Sequence, residues 1–255
     1  MINYRDKSVA QTLAQAAQTG ARQLAILIDP DKVSPPFLQQ LHAHHAQLLF
    51  FGGSLLSSFD LDQKLIMVRQ QVPNAQIVLF PGSAQQLSAK ADAILFLSLV
   101  SGRNPELLIG QQVLAAPLVK QLGLEVLPTA YLLIDGGSVT TAIYMSGSTP
   151  IPPNKSEIAA VTALAATMMG MQYVYLDCGS GAQDHVPLEM IRAVRNAVSV
   201  PIIVGGGITT PEAARQVCAA GADVVVVGNI LEQQPELLTD FLLAVKGFPA
   251  TTPAR

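Results

Sequence analysis

Along most of the chain, short unbroken apolar runs alternate with stretches in which apolar residues recur every three or four positions. The runs are "LAILID" (24–29), "LLFFGG" (48–53), "IVLFPG" (77–82), "AILFLSL" (93–99), "VLPTAYLLID" (126–135), "YVYLDC" (173–178), "PIIVGG" (201–206) and "DVVVVGN" (223–229). Near-continuous Val, Ile and Leu bounded by Gly and Pro is the pattern of strands covered on both faces. Helical segments separate most of them, such as "TPEAARQVCAAG", with Pro211 suited to its first turn and Gly221 to its stop. The segment after the third run, "SAQQLSAKAD", is short, so its helix is expected to be abbreviated.

Eight such repeats in a chain of 255 residues predict a single α/β domain over 1–255, a TIM-type (β/α)8 barrel. A doubly wound open sheet is the alternative, but the Gly-x-Gly-x-x-Gly turn of a dinucleotide binder is missing after the first run. Ile158 to Leu176 is apolar enough to raise a membrane span. Thr162, Thr167, Gly170 and Gln172 interrupt it, and its second half turns β-like, so a sheet-packed helix followed by a buried strand is expected instead. The N-terminal "MINYRDKSVAQTLAQ" has no apolar core of signal-peptide type, and the tail "GFPATTPAR" reads as frayed.

Composition narrows the function classes. Half of the residues are hydrophobic and 13% are charged, with a net charge of −3 and no Trp, which gives neither a basic footprint nor stacking platforms for nucleic acid. Two cysteines, Cys178 and Cys218, make no metal spacing and no disulfide framework, which fits a cytoplasmic protein. "HAHH" (42–45) lacks a carboxylate partner and reads as a solvated helix face; His185 is a lone loop histidine.

In a barrel, chemistry collects where the strands end. Those ends read Asp29-Pro30-Asp31-Lys32, Gly52-Gly53-Ser54, Pro81-Gly82-Ser83, Asp135-Gly136-Gly137, Asp177 to Gly181, Gly205-Gly206-Gly207 and Gly228-Asn229. Sharp turns alone account for some glycines, but not for carboxylates and hydroxyls gathered on one rim. The glycines of the last three loops let backbone N–H groups converge on an anion, so a phosphate cradle is expected there without any lysine. Asp177 is placed to accept a proton from a hydroxyl of the phosphate-bearing molecule; the alternative is a turn cap or a partner for another buried polar group. Asp29 and Ser54 end the first two strands and offer oxygen ligands of the kind that suit Mg²⁺. Asp31 is either a further ligand or the N-cap of a helix beginning near Pro35. Lys32 is either a diphosphate contact or a solvated charge, and Arg103 is another cation placed for phosphate.

Taken together, "LIDPDK", "GGS", "SGRNPELLIGQQVLAAP", "YLLIDGGS", "PIPPNKSEIAA", "YLDCGSGA", "VGGGITTPEAA" and "ADVVVVGN" resemble, in order, the geranylgeranylglyceryl phosphate synthase family. These are archaeal-type prenyltransferases with bacterial relatives. The resemblance implies Mg²⁺-assisted transfer of a polyprenyl group, geranylgeranyl in the family's name, from its diphosphate to the 3-hydroxyl of sn-glycerol 1-phosphate, giving an ether-lipid precursor. Position by position it implies Asp29 and Ser54 as metal ligands and Asp177 as the base. It implies Tyr175, Leu176, Asp177, Cys178, Gly179, Ser180, Gly181, Gly206, Gly207, Gly228 and Asn229 as substrate contacts. It also implies a homo-oligomer, dimer or hexamer, that meets lipid through its substrate rather than through an anchor.

Two departures from the family stand out. Its members usually carry Glu where this chain has Asp177, which keeps the carboxylate but shortens its reach by one methylene. They also tend to have a basic residue before Pro-Ile-Pro, where this chain has Thr149. Two rivals remain: another phosphate-barrel enzyme, an isomerase or aldolase, and a non-catalytic phosphometabolite-binding protein. An aldolase predicts a Schiff-base lysine on a strand, and no strand carries a lysine.

Overall fold

Eight parallel strands pair in chain order and close on themselves. They are β1 (Gln23–Ile28), β2 (Leu48–Phe51), β3 (Gln76–Leu79), β4 (Ala93–Leu99), β5 (Glu125–Leu133), β6 (Tyr173–Asp177), β7 (Ile202–Gly205) and β8 (Val224–Val227). Closure is made by β1 beside β8, with Gln23 opposite Val224 and Ile26 opposite Val227. The structure is a computed structural model and describes residues 8–57 and 60–247. Most of the expected tail therefore lies outside the described residues, as does the start of the N-terminal segment.

Every apolar run identified in the sequence becomes a strand; β6 and β7 end on Asp177 and Gly205, while the other strands stop before the Gly, Asp and Asn residues that close their runs. Alternation along each strand divides the core into two layers. Ala25, Phe50, Val78, Leu95, Tyr131, Tyr175, Ile203 and Val226 pack together inside the barrel. Ile26, Leu49, Ile77, Leu132, Leu176, Val204 and Val225 pack outward against the helices.

The helices are α1 (Val9–Thr19), α2 (Pro35–Ala43), α3 (Leu61–Gln71), α4 (Gln111–Leu122), α5 (Thr141–Ser146), α6 (Ser156–Met168), α7 (Leu188–Ala197), α8 (Pro211–Ala220), α9 (Asn229–Gln233) and α10 (Leu238–Lys246). The apolar stretch from Ile158 resolves into α6 followed by β6, and no described helix is long and apolar enough to cross a membrane. Helix α8 runs as its end signals predict: Thr210 accepts from the Ala213 amide, and Gly221 follows with φ 122°.

Two elements differ from expectation. Helix α1 precedes the barrel and closes its N-terminal mouth: Val9 and Leu13 join the inner layer, and the Glu125 carboxylate accepts from the Val9 and Ala10 amides at 2.7 and 3.1 Å. A carboxylate at a helix N-terminus satisfies donors that have no partner within the helix. Between β3 and β4 the abbreviated helix is absent, and residues 83–92 form only turns. Their polar side chains bond elsewhere: Ser88 Oγ bonds the Asp62 carboxylate and accepts from the Lys90 amide, and the Gln86 carboxamide accepts from Gly82 N and donates to Gly53 O. Such side-chain bonds compete with the helical ladder. The gap they leave opens the outer face of β4 between α3 and α4.

Candidate active site

Strand β6 sets the geometry. Tyr173, Tyr175 and Asp177 point inward while Val174 and Leu176 point outward, so the carboxylate at the strand end is aimed at the barrel axis. Beneath it lie Phe80, stacked on Tyr175 with ring centroids 5.1 Å apart, and Tyr131, edge-on to Tyr175 at 5.5 Å. Tyr131 Oη donates to Asp177 Oδ2 at 2.6 Å, and the Gly179 amide donates to Asp177 Oδ1 at 2.8 Å. Burial pushes the Asp177 carboxyl above the ordinary range, and these two donors only partly oppose it. The side chain is 5% exposed, and that small exposure faces a cavity of about 770 Å³ at the C-terminal rim.

One wall of the cavity is built of backbone. Gly206 and Gly207 have φ of 79° and 69°, in the left-handed region. A Cβ on Gly206 would lie 2.6 Å from the Gly179 nitrogen and 2.8 Å from that of Cys178, so the β6 and β7 loops can meet only through glycine. Ser180, Gly181, Gly206, Gly207, Gly228 and Asn229 line the cavity, with Ser180 Oγ donating to Asn229 Oδ1 at 3.1 Å. Helix α8 starts just beyond, so its N-terminal end faces the same rim.

Across the cavity, Asp29 and Ser54 end β1 and β2 and both line the wall. Asp29 Oδ2 lies 3.3 Å from Lys32 Nζ, and Lys32 Nζ also lies 3.6 Å from Glu232 Oε2. Burial works to lower the Lys32 pKa, but the two carboxylates outweigh it and raise it. Burial also raises the Glu232 pKa, against the pull of Lys32. Among the described residues no cluster of three or more His, Cys, Asp or Glu could hold a metal. The oxygen donors of Asp29 and Ser54 nonetheless fit Mg²⁺, which usually takes one or two carboxylates and leaves its other positions to water and substrate phosphate.

Several expected residues stand apart from this wall. Leu176 points outward, Cys178 is fully buried in the outer layer, and neither lines the cavity; nor does Gly179, whose amide is given to Asp177. Burial pushes the Cys178 thiol far up, so it fills space rather than reacts. Arg103 turns to the carbonyls of Val100 and Gly102, off the cavity. Asp31 accepts from the amide and hydroxyl of Ser57 and lies 3.6 Å from Lys64 Nζ, while Ser34 takes the cap position of α2. Thr149, His42 and His45 are exposed and off the wall, and the half-buried His185 is off it too.

Sequence reading missed Tyr131 and Glu232. Tyr131 carried a faint signal, the one aromatic ring of its strand. Glu232 carried none, since its role depends on where a one-turn helix comes to lie.

The sequence profile of the PcrB family matches residues 18–246. Geranylgeranylglyceryl phosphate synthase of Chitinophaga pinensis is 49% identical over 230 residues, covering 89% of this chain and 91% of the relative. The synthase of the same name from Spirosoma linguale is 47% identical over 234 residues, covering 90% and 94%. The crystal structure of (S)-3-O-geranylgeranylglyceryl phosphate synthase from Thermoplasma acidophilum, in complex with its substrate sn-glycerol-1-phosphate, superposes with a TM-score of 0.84 at 32% identity, covering 95% of this chain and all of that one. On sequence and fold alike, the chain belongs to the PcrB family.

Proposed function

We infer that the protein is a geranylgeranylglyceryl phosphate synthase: it transfers a polyprenyl group from its diphosphate to the 3-hydroxyl of sn-glycerol 1-phosphate. The observation that carries this reading is one cavity bearing a buried carboxylate, a glycine-walled anion cradle and a carboxylate–hydroxyl pair on the opposite side. An isomerase or aldolase would need a second acid–base group or a strand lysine at the axis, where this barrel has aromatic and aliphatic side chains.

On this reading the backbone of Ser180–Gly181, Gly206–Gly207 and Gly228–Asn229 holds the phosphate of the acceptor. The acceptor's 3-hydroxyl then reaches Asp177, which takes its proton as the oxygen attacks the first carbon of the prenyl chain and diphosphate departs. The raised pKa suits this role, because a carboxylate that burial disfavours is a stronger base than an exposed one. Asp29 and Ser54 would hold Mg²⁺, which would neutralise charge on the departing diphosphate. The prenyl chain lies in the apolar part of the cavity, past Leu97, Leu99 and Leu107 and into the gap left by the absent helix, lined by Leu61, Leu87, Ile94, Phe96 and Ala115. That wall keeps water from the developing allylic cation.

Large apolar side chains stand exposed on α4 (Val113, Leu114, Leu118), on α6 (Val161, Met168) and just after it (Met169). Exposed apolar surface of this kind is typical of association faces, and on this reading the working form is a homo-oligomer. Cys178 and Cys218 are both free and buried, which is compatible with a reducing compartment such as the cytoplasm.

A product assay tests the reading. The protein is incubated with labelled sn-glycerol 1-phosphate and a panel of prenyl diphosphates, with and without Mg²⁺, and sn-glycerol 3-phosphate serves as control. An ether product from the 1-phosphate alone, lost on chelation, is expected. Binding of glycerol phosphate without product from any donor would put the binding-protein reading first.

A further inference from the structure

We propose that Glu232 is the positioning residue of the diphosphate end of the site, holding Lys32 beside Asp29 so that the ammonium faces the departing group. Lys32 Nζ lies between two carboxylates, 3.3 Å from Asp29 Oδ2 and 3.6 Å from Glu232 Oε2. Glu232 also reaches the backbone beneath the same pair, with the Asp29 amide 3.5 Å from its Oε1. The Lys32 side chain is 53% exposed and the Glu232 side chain 15%, so the lysine is the free arm and the glutamate its fixed anchor. All three residues line the cavity.

The chain gives Glu232 a second connection. Helix α9 is a single turn, with Asn229 at its start and Glu232 three residues on, on the same face. Asn229 accepts from Ser180 beside the glycine wall, while Glu232 touches Lys32 and Asp29 on the other side. One short helix therefore spans the acceptor and donor halves of the rim. Lysine's long stem has many rotamers, and ordering it before the anion arrives removes part of the entropy cost of binding.

This proposal rests on reading the rim near Asp29 as the diphosphate end, and its test needs no turnover. Inorganic pyrophosphate with Mg²⁺ is titrated by calorimetry into the wild type, Glu232→Gln, Lys32→Ala and the double variant, with sn-glycerol 1-phosphate as a second titrant. Removing a negative charge beside an anion site would by itself tighten binding, whereas loss of the anchor loosens it. Glu232→Gln is expected to weaken pyrophosphate by about tenfold, with thermal midpoint and glycerol phosphate affinity unchanged. The double variant should be no weaker than Lys32→Ala, because the glutamate acts through the lysine.

Unchanged or tighter pyrophosphate binding in Glu232→Gln would overturn the proposal, as would additive losses in the double variant. So would weaker Mn²⁺ binding without pyrophosphate in Glu232→Gln but not in Lys32→Ala, which would make the glutamate a metal ligand. A wild type that binds no pyrophosphate also overturns it. If the wild type makes no ether product yet binds pyrophosphate with this dependence, the reaction reading fails and the positioning role stands.

Discussion

Tyr131 and Asp177 meet across adjacent strands: the phenol donates to Oδ2 at 2.6 Å while the Gly179 amide donates to Oδ1 at 2.8 Å. Tyr131 stands opposite Tyr175 and Leu133 opposite Asp177 in the β5–β6 register, so the bond runs diagonally between inward-facing positions. A carboxylate held at both oxygens has a fixed orientation, and the part of it that reaches the cavity is defined by what the two donors leave free.

Replacing Asp177 therefore separates chemistry from structure. Asp177→Asn keeps the shape, and the tyrosine hydroxyl can accept from the new amide, so the fold survives. Because burial raises the pKa of Asp177, the ionised form is disfavoured in the folded state, and the neutral amide relieves that cost. Turnover is expected to fall by about 10²–10⁴-fold with the thermal midpoint at or above that of the wild type. A stopped assay and a melting curve on the same preparation check both. Asp177→Glu keeps the base, and its turnover should stay within about tenfold of the wild type.

On the proposed mechanism the same group sets the pH profile. A base must be deprotonated, so the rate falls as pH drops through its pKa, and with that pKa raised the acid limb lies above that of an exposed aspartate at about 3.9. Tyr131→Phe removes a bond that favours the charged form, so the limb should move to higher pH. Profiles of kcat/KM for the two proteins decide it. A limb that stays in place would mean that the tyrosine does not tune the base.

How much of this could be read from the sequence depends on the range of each interaction. The strands were legible because both faces are buried, which leaves unbroken Val, Ile and Leu runs such as "DVVVVGN". Asp177 was legible as a strand-end carboxylate beside a glycine loop. Its partner was not, because Tyr131 lies 46 residues away and is brought there by β5–β6 register. Glu232 and Asp29 are 203 residues apart and meet only because β8 closes on β1. The helix expected after β3 is absent because Gln86 bonds the loop backbone at Gly82 and Gly53 and Ser88 bonds Asp62 in α3, and the sequence pattern cannot show those partners.

The glycine wall makes a sharper prediction. Gly206 has φ 79°, and a Cβ there would lie 2.6 Å from the Gly179 nitrogen, so Gly206→Ala must push the β6 and β7 loops apart. The Gly179 amide would then leave Asp177, and the cradle would widen. Affinity for sn-glycerol 1-phosphate should drop by at least about tenfold, and stability by about 1–3 kcal/mol for a non-glycine residue held in this region. Calorimetric titration and denaturant unfolding measure the two. Wild-type affinity in this variant would show that the phosphate binds elsewhere.

At the opposite end of the barrel, Asp223 tests stability without touching the chemistry. It is 2% exposed at the start of β8, where Oδ1 pairs with Arg22 at 2.5 Å, and Oδ2 pairs with Arg195 at 2.8 Å and accepts from the Ile202 amide at 2.8 Å. The two arginines come from ahead of β1 and from α7, so one carboxylate joins three consecutive parts of the closed sheet: β7, β8 and β1. Asp223→Ala would leave two guanidinium groups and a buried amide without their acceptor, which costs about 3–5 kcal/mol when one partner of a buried pair is removed. Urea unfolding should show that loss as a lower midpoint with an unchanged slope, while kcat/KM of the folded fraction stays at the wild-type value because the site lies at the other rim. An equal loss of kcat/KM would mean that barrel closure at β8 controls the position of Asn229 and Glu232.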